Sequence, residues 1–227
     1  MSLKKRAIKS IALALVGVTI AIPVANSVSA MEINSVSKQN IELTNTENDI
    51  FNQGLVESID IEGVTYTYEY YYDTNGFKSI SITNMARSQT QILTFDEKTS
   101  NIYLDGQKIL EVNSSYDNVN SSTRSVDSSW KLTAGPVHRY ISWAKGTTTA
   151  IVLGLISGAL GLAGSYVSSA LGGALSILAD QCSGGTLHYS KYYRNLALGQ
   201  VQYRTDWSFV ASTGDRYGTY TYLSTPQ

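Results

Sequence analysis

Gly146–Ala179 reads GTTTAIVLGLISGALGLAGSYVSSALGGALSILA, 34 consecutive positions without a charged side chain. Gly, Ala, Ser and Leu dominate it. A helix on the surface of a water-soluble domain carries charge on its wet face, and this stretch has none to put there. Two environments suit it, a membrane or the inside of a protein. As one straight helix it reaches roughly 51 Å, whereas a hydrocarbon core is about 30 Å thick. Two shorter helices in a hairpin over residues 146–180 are therefore expected. Gly161-Leu162-Ala163-Gly164-Ser165 is the first candidate bend and Gly172-Gly173 the second. Gly154 and Gly158 form a small-xxx-small pair that lets helices approach closely, with Ala163, Ser169, Gly173 and Ala174 available on the facing arm. In water each such glycine costs up to about 1 kcal/mol of helix stability against alanine, which tight contact in lipid offsets. The expectation is a membrane-insertion hairpin marked by Gly154, Gly158, Gly161, Gly164, Gly172 and Gly173. A buried hairpin core is the alternative.

The flanks bear on that choice. Trp130, Trp143 and Lys145 precede the tract and suit an interface between membrane and water. A single permanent span would leave Lys131, Arg139 and Lys145 outside the cell and Asp180 just inside, which the positive-inside rule does not favour. A hairpin keeps both ends outside.

Upstream, residues 1–30 have the layout of an export signal; an uncleaved N-terminal membrane anchor is the alternative, disfavoured by an apolar run that is short for a span. Lys4, Lys5, Arg6 and Lys9 begin it, an apolar run follows to Ile22, and Val28-Ser29-Ala30 offers small residues for cleavage between Ala30 and Met31. The expected location is outside the cell, with membrane association. The single cysteine, Cys182, rules out a framework of internal disulfides.

Charge divides what remains. Residues 31–127 hold 15 acidic and 6 basic side chains, net −9, and residues 128–227 hold 3 acidic and 7 basic, net +4. A cationic region is drawn to anionic bacterial lipid, and an acidic partner in the same chain masks that attraction. Two differently charged domains with no functional link is the plainer alternative.

The acidic part, residues 31–112, changes character along its length. It starts polar, with one short helix expected around Glu47 to Leu55. From Ile59 the pattern has period two: Val64, Tyr66, Tyr68, Tyr70 and Tyr72 alternate with Thr65, Thr67, Glu69 and Tyr71, as in a half-buried strand. Asp73-Thr74-Asn75-Gly76 and Asp105-Gly106 are hairpin turns. The segment to Val112 reads as a small antiparallel meander. Residues 113–129, NSSYDNVNSSTRSVDSS, read as a Ser/Asn-rich linker with a candidate protease-accessible bond at Arg124–Ser125; a passive interdomain linker is the alternative. Residues 130–227 form the cationic region. Gly135-Pro136 is expected as a turn, and Thr186–Tyr193, Gln200–Val210 and Arg216–Leu223 as strands. The fold class is α+β: an N-terminal β-meander, then an apolar Gly-rich helical hairpin with antiparallel strands.

Catalytic patterns do not emerge. His138 and His188 stand fifty positions apart, each without a metal-spaced neighbour. Ser183-Gly184-Gly185 lacks the setting of a hydrolase nucleophile, and neither a P-loop nor a dinucleotide fingerprint occurs. The seven C-terminal basic residues are dispersed, which argues against nucleic acid as a partner. A non-enzymatic protein without cofactor or metal is expected.

The order of signal, acidic β-rich region, Ser/Asn linker and cationic region with an apolar Gly-rich hairpin resembles the precursors of large unmodified bacteriocins exported by Gram-positive bacteria, of the closticin and geobacillin-26 types. The nearest local likeness runs from Trp130 through the apolar tract to Gln181. The β-rich tail after Gln181 and the single cysteine depart from that pattern. The resemblance implies a C-terminal fragment, released from a secreted precursor, that inserts into anionic bacterial membrane and permeabilises it. Self-association and a protective immunity protein in the producer belong to the same expectation. The alternative is a non-toxic surface or envelope protein with the hairpin as anchor or core.

Overall fold

Period-two alternation sets the first half of the structure, a computed structural model that describes residues 49–111, 114–116, 130–144 and 146–225. The export segment with its Ala30–Met31 junction, the Arg124–Ser125 bond and Lys145 lie outside the described residues. Six strands, β1 (Val56–Ile61), β2 (Val64–Tyr72), β3 (Lys78–Asn84), β4 (Gln89–Asp96), β5 (Asn101–Leu104) and β6 (Gln107–Glu111), pair antiparallel in sequence order as sheet A. Register places Tyr68 beside Ile82, Tyr70 beside Ile80 and Ile80 beside Leu93, so one face is apolar and buried. The Asp73 carboxylate accepts hydrogen bonds from the Asn75 and Phe77 amides and fixes the β2–β3 turn. The helix expected around Glu47–Leu55 is, among the described residues, a turn closed by Leu55 N donating to Ile50 O at 3.1 Å.

Sheet B follows the order β11-β10-β9-β8-β7. Its strands are β7 (Ser114–Tyr116), β8 (Lys131–Ser142), β9 (Gly184–Asn195), β10 (Val201–Ala211) and β11 (Arg216–Leu223). Strand β7 comes from the segment expected to be all linker. A polar Ser/Asn composition does not prevent an edge strand, because the ladder uses backbone groups alone. Gly135-Pro136, expected as a turn, lies inside β8 where the register to β9 shifts. The inward face of sheet B carries Val137, Ile141, Leu187, Trp207 and Phe209, all buried.

The apolar tract lies against these faces. It forms three short helices rather than a two-armed hairpin: α1 (Thr149–Leu160), α2 (Gly164–Leu171) and α3 (Ala174–Gln181). Both expected bends are breaks. Helix α1 ends at Gly161 in the left-handed region (φ 69°), and the Gly161 and Leu162 amides both donate to Ser157 O, at 2.8 and 3.1 Å. Helix α2 then leaves at 112° to α1, and no single helix among the described residues is long and apolar enough to cross a membrane.

Helix α1 packs on β3, β4, α2 and α3, and every residue from Ala150 to Leu160 is buried. That explains the absence of charge: this helix has no wet face. Ile151, Val152, Leu153, Leu155, Ile156 and Leu160 each contribute ~1.5–3 kcal/mol by leaving water. The side chains of both sheets and the helices form one core, and the described residues fall within one compact unit.

Candidate functional site

The glycines of α1 are contact points with sheet A, not with another helix. A Cβ on Gly154 would lie 2.7 Å from Ile82 Cδ1 and 2.8 Å from Leu93 Cδ1; one on Gly158 would lie 2.2 Å from Phe95 Cζ. The expected small-residue seam exists, and its partner is the acidic meander. The reason is geometric: a helix without side chains at two successive turns lets the large inward groups of β3 and β4 reach its backbone.

At the α1–α2 corner, charge enters the apolar tract from outside it. Helix α2 begins after Ala163 and has no side-chain cap of its own. Glu57 of β1 supplies one. Its Oε1 accepts from Gly164 N at 2.6 Å and its Oε2 from Ser165 N at 3.1 Å. Tyr70 OH donates to Glu57 Oε1 at 2.8 Å and accepts from Gly164 N at 2.9 Å. A carboxylate at a helix N-terminus satisfies orphan amides and meets the positive end of the dipole. Burial, and then the Glu57 carboxylate, hold the Tyr70 phenol well above its ordinary pKa.

The other end of the corner is met by cations from sheet B. Helix α1 has no basic residue in its last turn, yet Arg139 Nη1 of β8 donates to Ala159 O at 3.4 Å. Lys191 Nζ of β9 lies 3.7 Å from where a Cβ on Gly161 would stand, and 5.8 Å from the Tyr189 ring centre. Burial first, then the Lys78 ammonium, lowers the Lys191 pKa to about 8. A cleft of about 540 Å³ opens beside this corner, with Asp49, Tyr72 and Lys78 on one wall and Lys191, Thr205 and Tyr222 on the other. The tract is thus clipped at its bend by an anion from sheet A and cations from sheet B.

The remaining marked residues separate. Gly172 and Gly173 form the exposed break between α2 and α3. Trp143, expected at a membrane interface, is 6% exposed; its Nε1 donates to Leu178 O at 3.2 Å and its ring stacks on Phe209. The indole is a core group because β8 delivers it to the inward side. Trp130 does stand outside the core, with the Arg194 guanidinium 4.6 Å from its ring centre.

His138 and His188, read from the sequence as isolated, oppose each other across β8 and β9, and their Nδ1 atoms form a hydrogen bond. Burial, then His138, then Arg216 lower the His188 pKa. Cys182 is buried, its Sγ 3.7 Å from Thr213 Oγ1. Among the described residues no group of three or more His, Cys, Asp or Glu side chains could hold a metal ion.

Glu57, Tyr70, Arg139 and Lys191 carry the corner, and the sequence reading singled out none of them for that role. A signal was present. Glu57 has the strand parity of Ile59 and Ile61, Arg139 that of Val137 and Ile141, and Lys191 that of Leu187. A charge at an inward position of a strand needs a buried partner. Comparison of the chain with protein-family models, with curated proteins and with solved structures found no match.

Proposed function

We propose that the protein is an exported antibacterial precursor of bacteriocin type, in which the acidic sheet A sheathes the apolar helices of the cationic C-terminal region until they reach an anionic bacterial membrane. The observation that carries this reading is the seating of α1: a fully uncharged helix whose two glycines receive Ile82, Leu93 and Phe95 of the acidic half. Removal of sheet A opens that face and also withdraws the Glu57 clip. The exposed tract then has lipid as its remaining apolar solvent. Ion gradients collapse on insertion, and the producer needs a protecting partner against its own product. The same small-residue face serves self-association of released chains.

The test is dye release from vesicles containing phosphatidylglycerol. The intact chain is compared with the C-terminal piece obtained by cutting at Arg124 and separating the products. The intact chain is expected to be silent and the separated piece to release dye at micromolar concentration. Silence of the separated piece rejects the proposal.

A second reading is supported by the complete burial of Ala150–Leu160: a surface or envelope protein that keeps the tract permanently as its core. Fractionation of producing cells separates the two, because this reading expects an uncut chain retained with the envelope.

A further inference from the structure

Sheet B has a second face, turned away from the helices. Register fixes what stands on it. Leu132 opposes Tyr192, Tyr192 opposes Arg204, and Arg204 opposes Leu223, one row across β8 to β11. Arg194 follows two residues beyond Tyr192 on the same side of β9, and the Trp130 ring lies against it. The Arg204 guanidinium is 5.9 Å from the Trp130 ring centre and 5.7 Å from that of Tyr192. Leu132 and Leu223 flank the group at 46% and 51% exposure.

The charges on this face are not equivalent. Arg204 is taken up by Asp206, whose carboxylate accepts from Nε at 2.8 Å and Nη2 at 2.7 Å. Arg194 has a neutral partner, Gln202 Oε1, at 3.0 and 2.7 Å. Its positive charge is oriented and held on an aromatic face, with no carboxylate paired to it among the described residues. Guanidinium on indole tolerates partial desolvation better than a free cation. Tryptophan and tyrosine favour the headgroup level of a bilayer, and exposed leucines gain by entering it.

We infer that this face docks the folded chain on an anionic lipid surface, with Trp130 at headgroup depth, Arg194 against lipid phosphate, and Leu132 and Leu223 below them. The inference deepens the membrane reading above and rests on it for the choice of lipid. It adds a step before release: the sheathed chain binds by the outer side of sheet B while the tract stays between the sheets. One half-buried arginine without a paired carboxylate offers little to a structured nucleic acid, whereas cation, indole and leucine together match a bilayer boundary in charge and in polarity.

The experiment uses the intact chain and needs no cleavage. Trp143 and Trp207 are buried at 6% and 1% exposure, so quenching of tryptophan emission by brominated lipid reports on Trp130. Quenching is expected with brominated phosphatidylglycerol–phosphatidylcholine vesicles and not with brominated phosphatidylcholine alone. Arg194→Gln is expected to weaken vesicle affinity about fivefold, which corresponds to ~1 kcal/mol for one basic side chain at an anionic surface. Leu223→Ser weakens it as well and, being at an exposed strand end, keeps the fold. Lys98→Gln, the same charge change on the acidic sheet, leaves affinity unchanged. Binding with Trp130 unquenched, equal binding to neutral vesicles, or equal effects of Arg194→Gln and Lys98→Gln each overturn the inference. Failure of the release mechanism shows differently, as a separated C-terminal piece that leaks nothing.

Discussion

Substituting Gly158 by alanine pits two known effects against each other. Alanine in a helix interior is worth up to about 1 kcal/mol more than glycine, so a helix free in water or lipid gains. In the folded protein the new methyl would stand 2.2 Å from Phe95 Cζ and 2.5 Å from Cε2. Phe95 is itself 4% exposed, so its ring has nowhere to retreat. Overpacking of a closed core costs ~1–3 kcal/mol. Gly158→Ala is therefore expected to destabilise the chain by ~1–2 kcal/mol in urea unfolding followed by tryptophan fluorescence. Phe95→Leu removes the ζ and ε ring atoms at fault and leaves a cavity of its own. In that background Gly158→Ala is expected to be neutral or stabilising, a coupling of ~2 kcal/mol or more between positions 95 and 158. Additive effects, or a Gly158→Ala chain more stable than wild type, would refute the seating of α1 on sheet A and with it the sheath.

Three further outcomes concern the corner and the central strand of sheet B. Glu57→Gln keeps the shape but loses the charge that serves two α2 amides and Tyr70 OH; a loss of ~2 kcal/mol is expected in the same unfolding assay, and Tyr70→Phe is expected to lose less. Lys191 surrenders its proton near pH 8 when folded but near 10.4 when unfolded, so its charged form penalises the fold by roughly 3 kcal/mol at neutral pH, fading as pH rises from 8 towards 10. Lys191→Met should raise the Tm at pH 7, and its curve should meet that of wild type near pH 10. His188 has a lowered pKa when folded, so below about pH 6.5 the unfolded chain binds the proton first and stability falls as pH drops; His188→Asn should flatten that limb between pH 7 and 5.

Most strands were legible in the sequence because a half-buried strand states its inward face by alternation; β7 and the first half of β8 were not, since Ser/Asn composition and Gly135-Pro136 read as linker and turn. Arg216–Leu223 was read with the bounds it has in the structure, and the meander needed only the additional strand β1 before Gly63. The helix breaks at Gly161 and Gly172–Gly173 were legible for a local reason, since glycine there relieves a backbone demand. What surrounds α1 was not legible. A helix apolar on every side looks the same whether lipid or sheet covers it, and hydropathy carries no information on the covering partner. The clips at the corner escaped for a related reason. Glu57, Arg139 and Lys191 look like surface charges when counted by composition, and only strand parity marks them as inward. The fate of Trp143 turned on parity too, because its indole follows the inward series of Val137, Arg139 and Ile141.

Whether the tract stays sheathed turns on the sheets more than on the helix. Lipid tails and a protein interior are nearly equivalent solvents for leucine and isoleucine, so α1 gains little by moving from one to the other. Its glycines are matched in both settings, by Phe95 and Ile82 in the fold and by another small-residue face in a bilayer. What changes on release is the inner face of sheet A, where Tyr68, Tyr70, Ile80, Ile82, Leu93 and Phe95 would meet water, each aliphatic among them at ~1.5–3 kcal/mol. Glu57 and Arg139 would at the same time lose the helix ends that now satisfy them. In the proposed release, most of the barrier to insertion therefore lies in the acidic half of the chain, with Arg139 of sheet B adding to it. An inhibitory segment placed there would make the tract safe in water without altering the tract's own preference for an apolar surrounding. Both clips sit at the turn from α1 into α2, at Ala159 and Gly164, where the two helices would have to separate first in the proposed release.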